Sequence, residues 1–197
     1  MKKYVIGIDE VGRGALAGPV VVAAALLKDR RAIRARRELG TLRDSKKLSP
    51  KRRAAWFAYF KGDPAIEFAV ARVYPRGIEK MNISHAANVA ALRAYKKLIA
   101  QGPAAAARSR VFLDGGLFLG NGAQPKNAKT IIKGDEKIPA VAIASIVAKV
   151  NRDRFMVRLA KKYETYGFDA HKGYGTKAHY KALKKHGPCD VHRRTFL

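Results

Sequence analysis

Cysteine is nearly absent from the chain. Cys189 is the single cysteine among 197 residues, which excludes an intramolecular disulfide and agrees with a reducing compartment, so we expect a cytoplasmic protein. The longest apolar runs reach only about ten residues, whereas a membrane-spanning helix needs about 20. Asp9 and Glu10 interrupt the first apolar run too early for a secretion signal. We therefore expect no membrane segment.

Acidic residues are also scarce. The chain has 15 Asp and Glu against 41 Lys and Arg, a net charge of +26. A surface this basic attracts a polyanion, most often nucleic acid, and the interaction weakens steeply with salt. A solubility or thermal adaptation is the alternative explanation. Charge alone does not choose between a ribosome-associated protein, a nuclease and a simple binding protein.

No repeat, linker or low-complexity tract divides the chain, and its length suits one structural unit with a sizeable core. Apolar and β-branched patterns predict strands over 4–10, 18–27, 65–74, 110–116 and 129–137. Helical spacing, caps and stops predict helices over 28–39, 51–62, 83–102 and 138–164, and a short one near 177–187. Ser49 is the predicted cap of the second helix, with Pro50 in its first turn. Strands that alternate with helices indicate an α/β fold with a mixed sheet.

The few acids stand at the ends of predicted strands. Asp9 and Glu10 end the first strand, and Asp114 and Asp135 end two later ones. Sites in open α/β sheets form beside strand ends, and converging carboxylates repel each other unless they share a cation or a proton. Oxygen ligands suit Mg²⁺ or Mn²⁺, and two such ions about 3.5–4 Å apart clamp both reacting oxygens in phosphodiester cleavage. We therefore interpret Asp9 and Glu10 as metal ligands.

Simpler explanations exist for the later acids. Asp114 in "LDGG" suits a turn, and Asp135 suits a cap before the long helix. The pair Asp9 and Glu10, between two apolar strands, is harder to explain in this way. Spacing alone does not show whether the four carboxylates converge.

Two other motifs suggest different ligands. "GRGALA" at 12–17 satisfies a dinucleotide-binding fingerprint, but that motif must open a helix, and Pro19 with a β-branched run follows here. His179, His186, Cys189 and His192 suggest zinc, but one cysteine and uneven spacing favour exposed residues on a basic helix and loop. Both alternatives are therefore weak.

A series of motifs resembles the bacterial type 2 ribonucleases H, the ribonuclease HII family. In chain order they are "GIDEVGRGALAGPV" (7–20), "DSKKLS" (44–49), "MNISHA" (81–86), "FLDGG" (112–116), "KGDEKIPAVAIASIVAKVNRDR" (133–154), "FDAHKGYGTKAHYKALKKHG" (168–187) and "HRRTF" (192–196). The motifs follow the family's order and span nearly the whole chain. Their combination is far more specific than any one of them.

The resemblance implies a ribonuclease H-like fold, with a central mixed five-stranded sheet flanked by helices and a helical C-terminal segment. It implies a catalytic core over 1–165 and a basic segment over 166–197 that completes the substrate site, as one structural unit. It also implies that four carboxylates bind Mg²⁺ or Mn²⁺ and catalyse cleavage: Asp9, Glu10, Asp114 and Asp135.

The family's activity and substrate are implied in the same way. The family cleaves the RNA strand of RNA–DNA hybrids, and cuts 5′ to single ribonucleotides in duplex DNA, leaving a 3′-hydroxyl and a 5′-phosphate. Gly12, Arg13 and Gly14 match its reader of the ribose 2′-hydroxyl, and Tyr174 matches the tyrosine that packs at the RNA–DNA junction. Lys46, Lys47 and Lys149 are expected phosphate contacts, and His171 is expected either to assist substrate contact or to be structural. We expect a monomer.

Three positions depart from the family pattern: Ala15 where proline is usual, Arg43 where an acid is common and Gly116 where asparagine is usual. None of them removes an expected ligand or reader. Two related functions remain alternatives, a catalytically silent nucleic-acid binder and a type 3 ribonuclease H that prefers long hybrids. The intact carboxylates argue against the first. The "GRG" motif and the start of the chain eight residues before Asp9 argue against the second.

Overall fold

A computed structural model describes residues 4–34, 37–42, 45–102, 107–120 and 124–197. Arg43, one of the departures noted above, lies outside these ranges. No helix in the described ranges is long and apolar enough to cross a membrane.

A five-stranded mixed sheet forms the centre of the fold, as expected from the sequence and the family resemblance. Its strands are Tyr4–Val11 (β1), Val20–Leu27 (β2), Ile66–Val73 (β3), Ser109–Asp114 (β4) and Ala128–Ile131 (β5). Their order across the sheet is β3-β2-β1-β4-β5. The first three strands are antiparallel neighbours, whereas β4 runs parallel to β1 and β5 runs parallel to β4.

Helices connect and cover the strands. In the described ranges they span Arg31–Arg34 (α1), Pro50–Gly62 (α2), Pro75–Met81 (α3), Ile83–Gln101 (α4), Gly134–Lys137 (α5), Pro139–Ala160 (α6), Phe168–His171 (α7) and Lys177–His186 (α8). The same ranges contain 3₁₀ turns at Arg37–Leu39, Ser45–Lys47, Glu164–Tyr166 and Arg194–Phe196. The predicted start of α2 is confirmed, since the Ser49 hydroxyl accepts from the Arg52 amide at 3.3 Å and Pro50 begins the helix.

The sheet is buried on both faces. Alternate residues of β2 point in opposite directions, so Val20 and Val22 pack with the alanine-rich face of α4, and Val21 and Ala23 pack with α2 and α6. Helix α6 lies directly across β1 and β2. A Cβ atom on Gly7 would come within 2.1 Å of the Ala140 backbone, so glycine permits this close approach of strand and helix.

The C-terminal segment packs back against the loop that follows β1. The amides of Leu16 and Ala17 donate to the Gly173 carbonyl at 2.8 and 3.2 Å, and the Gly18 amide donates to Val191 at 2.8 Å. These bonds tie the two regions together from opposite ends of the sequence. The division into a core over 1–165 and a segment over 166–197 stays a prediction.

Three sequence predictions differ from the structure. The strand predicted over 129–137 ends at Ile131, because Lys133 takes a left-handed conformation (φ 54°) and Gly134 begins a helical turn. In place of a helix over 28–39, the described residues form only the short turns α1 and Arg37–Leu39 in a dense run of arginines, where like charges repel. Helix α3 was not predicted, because Pro75 was assigned only to the end of a strand; it occupies the first helical position.

Candidate active site

A cavity of about 280 Å³ opens at the end of the sheet where β1 and β4 finish. Parallel pairing of Ile8 with Leu113 places Asp9 and Asp114 side by side at this edge. The cavity is lined by all four expected carboxylates and by Val11, Ser45, Lys46, Ser145, Lys149 and Tyr174. The structure therefore brings residues from both ends of the chain to one place.

Asp9 is held inside the protein. Its side chain lies on the face of β1 toward α6, where it accepts from the Glu10 amide at 2.7 Å and from the Ser145 hydroxyl. The Ser145 hydroxyl is hydrogen-bonded at 2.9 Å to Ser45, and both serines are buried. Burial raises the pKa of Asp9 well above its usual range, and the charges of Glu10 and Asp114 raise it further. The ionised form is thus costly unless a cation compensates it.

Glu10 points to the opposite side of β1 from Asp9, as strand alternation requires. Burial raises its pKa, and the charge of Arg13 opposes this shift. The Arg13 guanidinium donates to Glu10 Oε1 at 3.4 Å and to Ser84 Oγ at 2.9 Å. Glu10 Oε2 is buried and has no hydrogen-bond partner among the described residues. One carboxylate oxygen is therefore left for a ligand.

Asp114 and Asp135 complete the acidic wall. Asp114 Oδ1 accepts from the Gly134 amide at 2.6 Å, so its side chain connects β4 to α5 and does more than close its own turn. Asp135 lies in the first turn of α5, not at the end of a strand as predicted. It does not cap α6 either, because that helix begins after Ile138 without a side-chain cap.

The carboxylates fit divalent cations by their chemistry and by the orphaned Glu10 oxygen. Within the described residues, however, no three histidine, cysteine or acidic side chains are grouped tightly enough to form a ready-made metal site. The four acids face a shared cavity, while Asp9, Glu10 and Asp114 each bond to donors of the chain. Their assignment as metal ligands stays a prediction.

The loop at Gly12, Arg13 and Gly14 lies beside the cavity. Gly12 is buried with φ 90°, and a Cβ atom there would lie 2.2 Å from Arg152 Nε, so no larger residue fits. Gly14 is exposed, and a Cβ atom there would meet nothing within 4 Å. The fold therefore requires glycine at position 12, whereas the absence of a side chain at Gly14 leaves open space in front of the loop.

Of the remaining expected contacts, Tyr174, Lys46 and Lys149 line the cavity, whereas Lys47 forms an ion pair with Glu136 at 2.8 Å. The Lys149 amino group lies 6.0 Å from the centre of the Tyr174 ring and bonds to Asp153 at 2.8 Å. Lys47 therefore does not line the cavity with Lys46, Lys149 and Tyr174.

Comparison with known proteins identifies the family. The family model described as Ribonuclease HII matches residues 6–197. The chain belongs to the ribonuclease HII family. It is 40% identical over 195 residues to ribonuclease HII of Caldicellulosiruptor bescii, covering 99% of this chain and 87% of that one. It is 44% identical over 192 residues to the enzyme of Endomicrobium trichonymphae, covering 98% and 84%.

A solved structure of the family has the same fold. Ribonuclease HII of Archaeoglobus fulgidus, solved in complex with PCNA, superposes with a TM-score of 0.69 at 27% identity, covering 95% of this chain and 92% of that one. The expected family and the expected ribonuclease H-like fold are therefore both confirmed.

In this member of the ribonuclease HII family, three histidines form a cluster beside Tyr174. His192 Nδ1 accepts from the Cys189 amide at 3.0 Å, its Nε2 lies 3.0 Å from Nε2 of His179, and Nδ1 of His179 lies 3.0 Å from the Tyr174 carbonyl. His171 contacts Tyr166 and Gly173 through both ring nitrogens. These nitrogens all have partners in the chain, which supports a structural role for His171.

The predicted exposure of the possible zinc residues was wrong for two of them. His179 and His192 are buried, Cys189 is half-buried and His186 is exposed. His179 lies on the face of α8 that packs against Phe168, and His192, in the loop after α8, packs against Tyr166. No metal-binding group includes them among the described residues.

The buried His192 predicts a pH-dependent stability. Burial and the neighbouring His179 lower the pKa of His192 to about 4. Between the ordinary value of 6.5 and about 4, the unfolded chain binds this proton and the folded chain does not, so the free energy of unfolding decreases as pH falls through that window. We expect a loss of up to about 3 kcal/mol, at about 1.4 kcal/mol per pKa unit. Urea unfolding of the parent and of His192→Gln at pH 7.5 and 4.5 measures it.

The matched control is His186→Gln, which changes an exposed histidine of the same cluster region. We expect it to retain the parent's pH dependence, whereas His192→Gln reduces the slope and leaves the share of His179, whose pKa burial also lowers. An unchanged slope in His192→Gln would show that other groups cause the acid destabilisation.

Sequence reasoning missed several residues that build the site. Ser145 is the one polar residue in the otherwise apolar stretch 139–148 of α6, a signal that could have identified it. Ser45, Ser84 and the buried Arg152 and Arg193 carry no comparable local signal in so basic a chain. Their roles depend on contacts far apart in sequence.

Proposed function

We propose that the protein is a metal-dependent endoribonuclease that cleaves the RNA strand of RNA–DNA hybrids and cuts 5′ to single ribonucleotides in duplex DNA, leaving a 3′-hydroxyl and a 5′-phosphate. Family membership supports ribonuclease H activity. The observation that carries the proposal is the shared cavity, where four carboxylates meet Tyr174 beside the loop of Gly12 to Gly14. The residues that we propose for cleavage and for ribonucleotide recognition are therefore neighbours.

Asp9, Glu10, Asp114 and Asp135 would hold Mg²⁺ or Mn²⁺. The chemistry that bound divalent ions supply here is Lewis-acid activation of water and stabilisation of the departing 3′-oxygen, as in two-metal phosphodiester hydrolysis. Asp9 and Glu10 hold their negative charge in a buried site at an energetic cost, which favours binding of cations.

The other residues of the proposed site bind and orient the substrate. In this proposal Gly12, Arg13 and Gly14 approach the ribose and recognise its 2′-hydroxyl, the group that distinguishes RNA from DNA. Tyr174 packs at the junction between ribonucleotide and deoxyribonucleotide. Phosphate contacts come from Lys46 and Lys149 at the cavity and, once its ion pair with Glu136 opens, from Lys47.

The net charge of +26 suits a duplex substrate and supplies sequence-independent affinity. We assign the protein to the cytoplasm, where ribonucleotide-containing DNA of a bacterial cell is found, and propose that it acts as a monomer.

The test is strand cleavage of a DNA duplex that carries one ribonucleotide, in Mg²⁺ and in Mn²⁺, with an all-DNA duplex and a chelator as controls. We expect a metal-dependent nick just 5′ of the ribonucleotide. Cleavage of long hybrids alone would indicate the type 3 preference. Binding without cleavage of either substrate would indicate a silent binder.

A further inference from the structure

Two arginines of the described residues are completely buried. Arg152 of α6 and Arg193 near the C-terminus each have an exposed fraction of 0%. A buried charge is costly unless it is fully hydrogen-bonded or paired with an opposite charge. Neither guanidinium forms a salt bridge within the described residues; both bond to backbone carbonyls instead. Such a pair of buried cations requires a structural or functional reason.

Arg193 bonds directly to the loop that we propose reads the ribose. Its Nη2 donates to the Gly12 carbonyl at 2.7 Å, its Nη1 donates to the Arg13 carbonyl at 2.7 Å, and its Nε donates to the Gly18 carbonyl at 3.0 Å. The planar guanidinium presents donors in several fixed directions, so one side chain holds three carbonyls at once.

Arg152 supports the same loop from α6. It donates to the carbonyls of Ala17 at 3.1 Å and Pro19 at 3.0 Å, and its guanidinium carbon lies 5.1 Å from the centre of the Tyr174 ring. A Cβ atom on Gly12 would overlap its Nε. The loop and Tyr174 thus rest on a common base of buried arginines.

These bonds orient the outer side of the loop. In a trans peptide the N–H points opposite to the C=O, and the described residues contain no cis peptide bond. Because the carbonyls of Gly12 and Arg13 turn inward to Arg193, the amides of Arg13 and Gly14 turn outward. Neither amide has a hydrogen-bond partner among the described residues. Two outward donors therefore face the open space in front of Gly14.

We infer that Arg193 is a positioning residue for ribonucleotide recognition: it fixes the carbonyls of Gly12 and Arg13 so that the amides of Arg13 and Gly14 are presented to the substrate ribose. The inference rests on the proposed function of the loop. Arg193 touches no substrate itself, because it is buried beneath the loop. Its contribution is to selectivity for the ribonucleotide, separate from the carboxylates that carry the cleavage.

The test compares Arg193→Gln with Arg194→Gln, which changes the next residue in the chain. Arg194 is exposed, and its bond to Glu79 comes from the backbone amide, which the substitution keeps. Rates are measured on a duplex with one embedded ribonucleotide and on an RNA–DNA hybrid of equal length. A long hybrid offers 2′-hydroxyls at every position of its RNA strand, so its cleavage rate depends less on the exact position of the loop. We expect Arg193→Gln to lower the single-ribonucleotide to hybrid ratio about 10- to 100-fold, and Arg194→Gln to leave it unchanged.

Arg193→Lys keeps the charge but donates from a single nitrogen, so it cannot hold three carbonyls in place. We expect its ratio to fall as in Arg193→Gln; a restored ratio would mean that charge alone matters and would overturn the inference. An unchanged ratio in Arg193→Gln, or equal losses on both substrates, would also overturn it. A parent protein that does not nick at a single ribonucleotide would refute the proposed function, and the inference with it.

Discussion

Asp9→Asn is expected to slow cleavage at an embedded ribonucleotide by about 10²- to 10³-fold or more, while affinity for the duplex stays unchanged. Asparagine preserves the size of the side chain but removes the charge that a divalent ion requires. Binding of the duplex depends on the basic surface of the whole chain and not on this buried group. Single-turnover cleavage rates and salt-dependent binding of the same duplex, measured in parallel, separate the two effects.

The same substitution is expected to stabilise the fold in the absence of divalent ions. The pKa of Asp9 is raised in the folded protein, so ionised Asp9 destabilises that state at neutral pH. The penalty decreases as pH falls below the raised pKa and is gone below the ordinary value of 3.8. An uncharged asparagine carries no such penalty. We therefore expect a higher Tm for Asp9→Asn than for the parent at neutral pH with chelator, and a smaller difference in acid.

Asp169→Asn is the matched control, since it removes the charge of an exposed aspartate in α7. It should change neither cleavage nor Tm appreciably. Cleavage by Asp9→Asn at the parent rate with metal present would exclude Asp9 as a metal ligand. A Tm below that of the parent in chelator would show that the hydrogen bonds to Asp9 outweigh the cost of its charge.

Local sequence patterns predicted most of the elements of the fold. The β-branched run of β2 and the three- and four-residue spacing of α4 depend only on neighbouring residues, and both elements are present as predicted. Asp135 shows where such patterns fail. Its segment has apolar residues typical of a strand, but the backbone turns at Lys133, which has a positive φ, and the Gly134 amide bonds to Asp114, 20 positions earlier in the chain.

The arrangement of the site depended on contacts that no local pattern records. The resemblance to the family named the four acids, but not how they are held. Ser145 reaches Asp9 from a helix 136 positions later in the chain, and Arg193 reaches Gly12 across 181 positions. In a chain with 41 basic residues, nothing marks Arg152 and Arg193 as different from their solvated neighbours until their burial is known.

Arg13→Ala is expected to reduce cleavage at a single embedded ribonucleotide by about 10²-fold. The side chain is one-third exposed, with the guanidinium held between Glu10 and Ser84. Its removal releases the reading loop from Glu10 and Ser84, and it also removes the charge that opposes the raised pKa of Glu10. Cleavage rates on the single-ribonucleotide duplex and on a long hybrid measure the two consequences together.

Arg13→Lys separates them, because lysine keeps a positive charge near Glu10 but lacks the planar fork that bonds to Ser84 and Glu10 together. We expect the lysine variant to recover cleavage of the long hybrid more fully than cleavage at the single ribonucleotide. Arg108→Ala, which changes an exposed arginine at the opposite end of β4 from Asp114, should behave as the parent. Equal activity of Arg13→Ala and the parent at the single ribonucleotide would remove Arg13 as a reader. Recovery of both substrates to the same extent by lysine would assign Arg13 to the electrostatics of Glu10, because only a reading role depends on the geometry of the guanidinium.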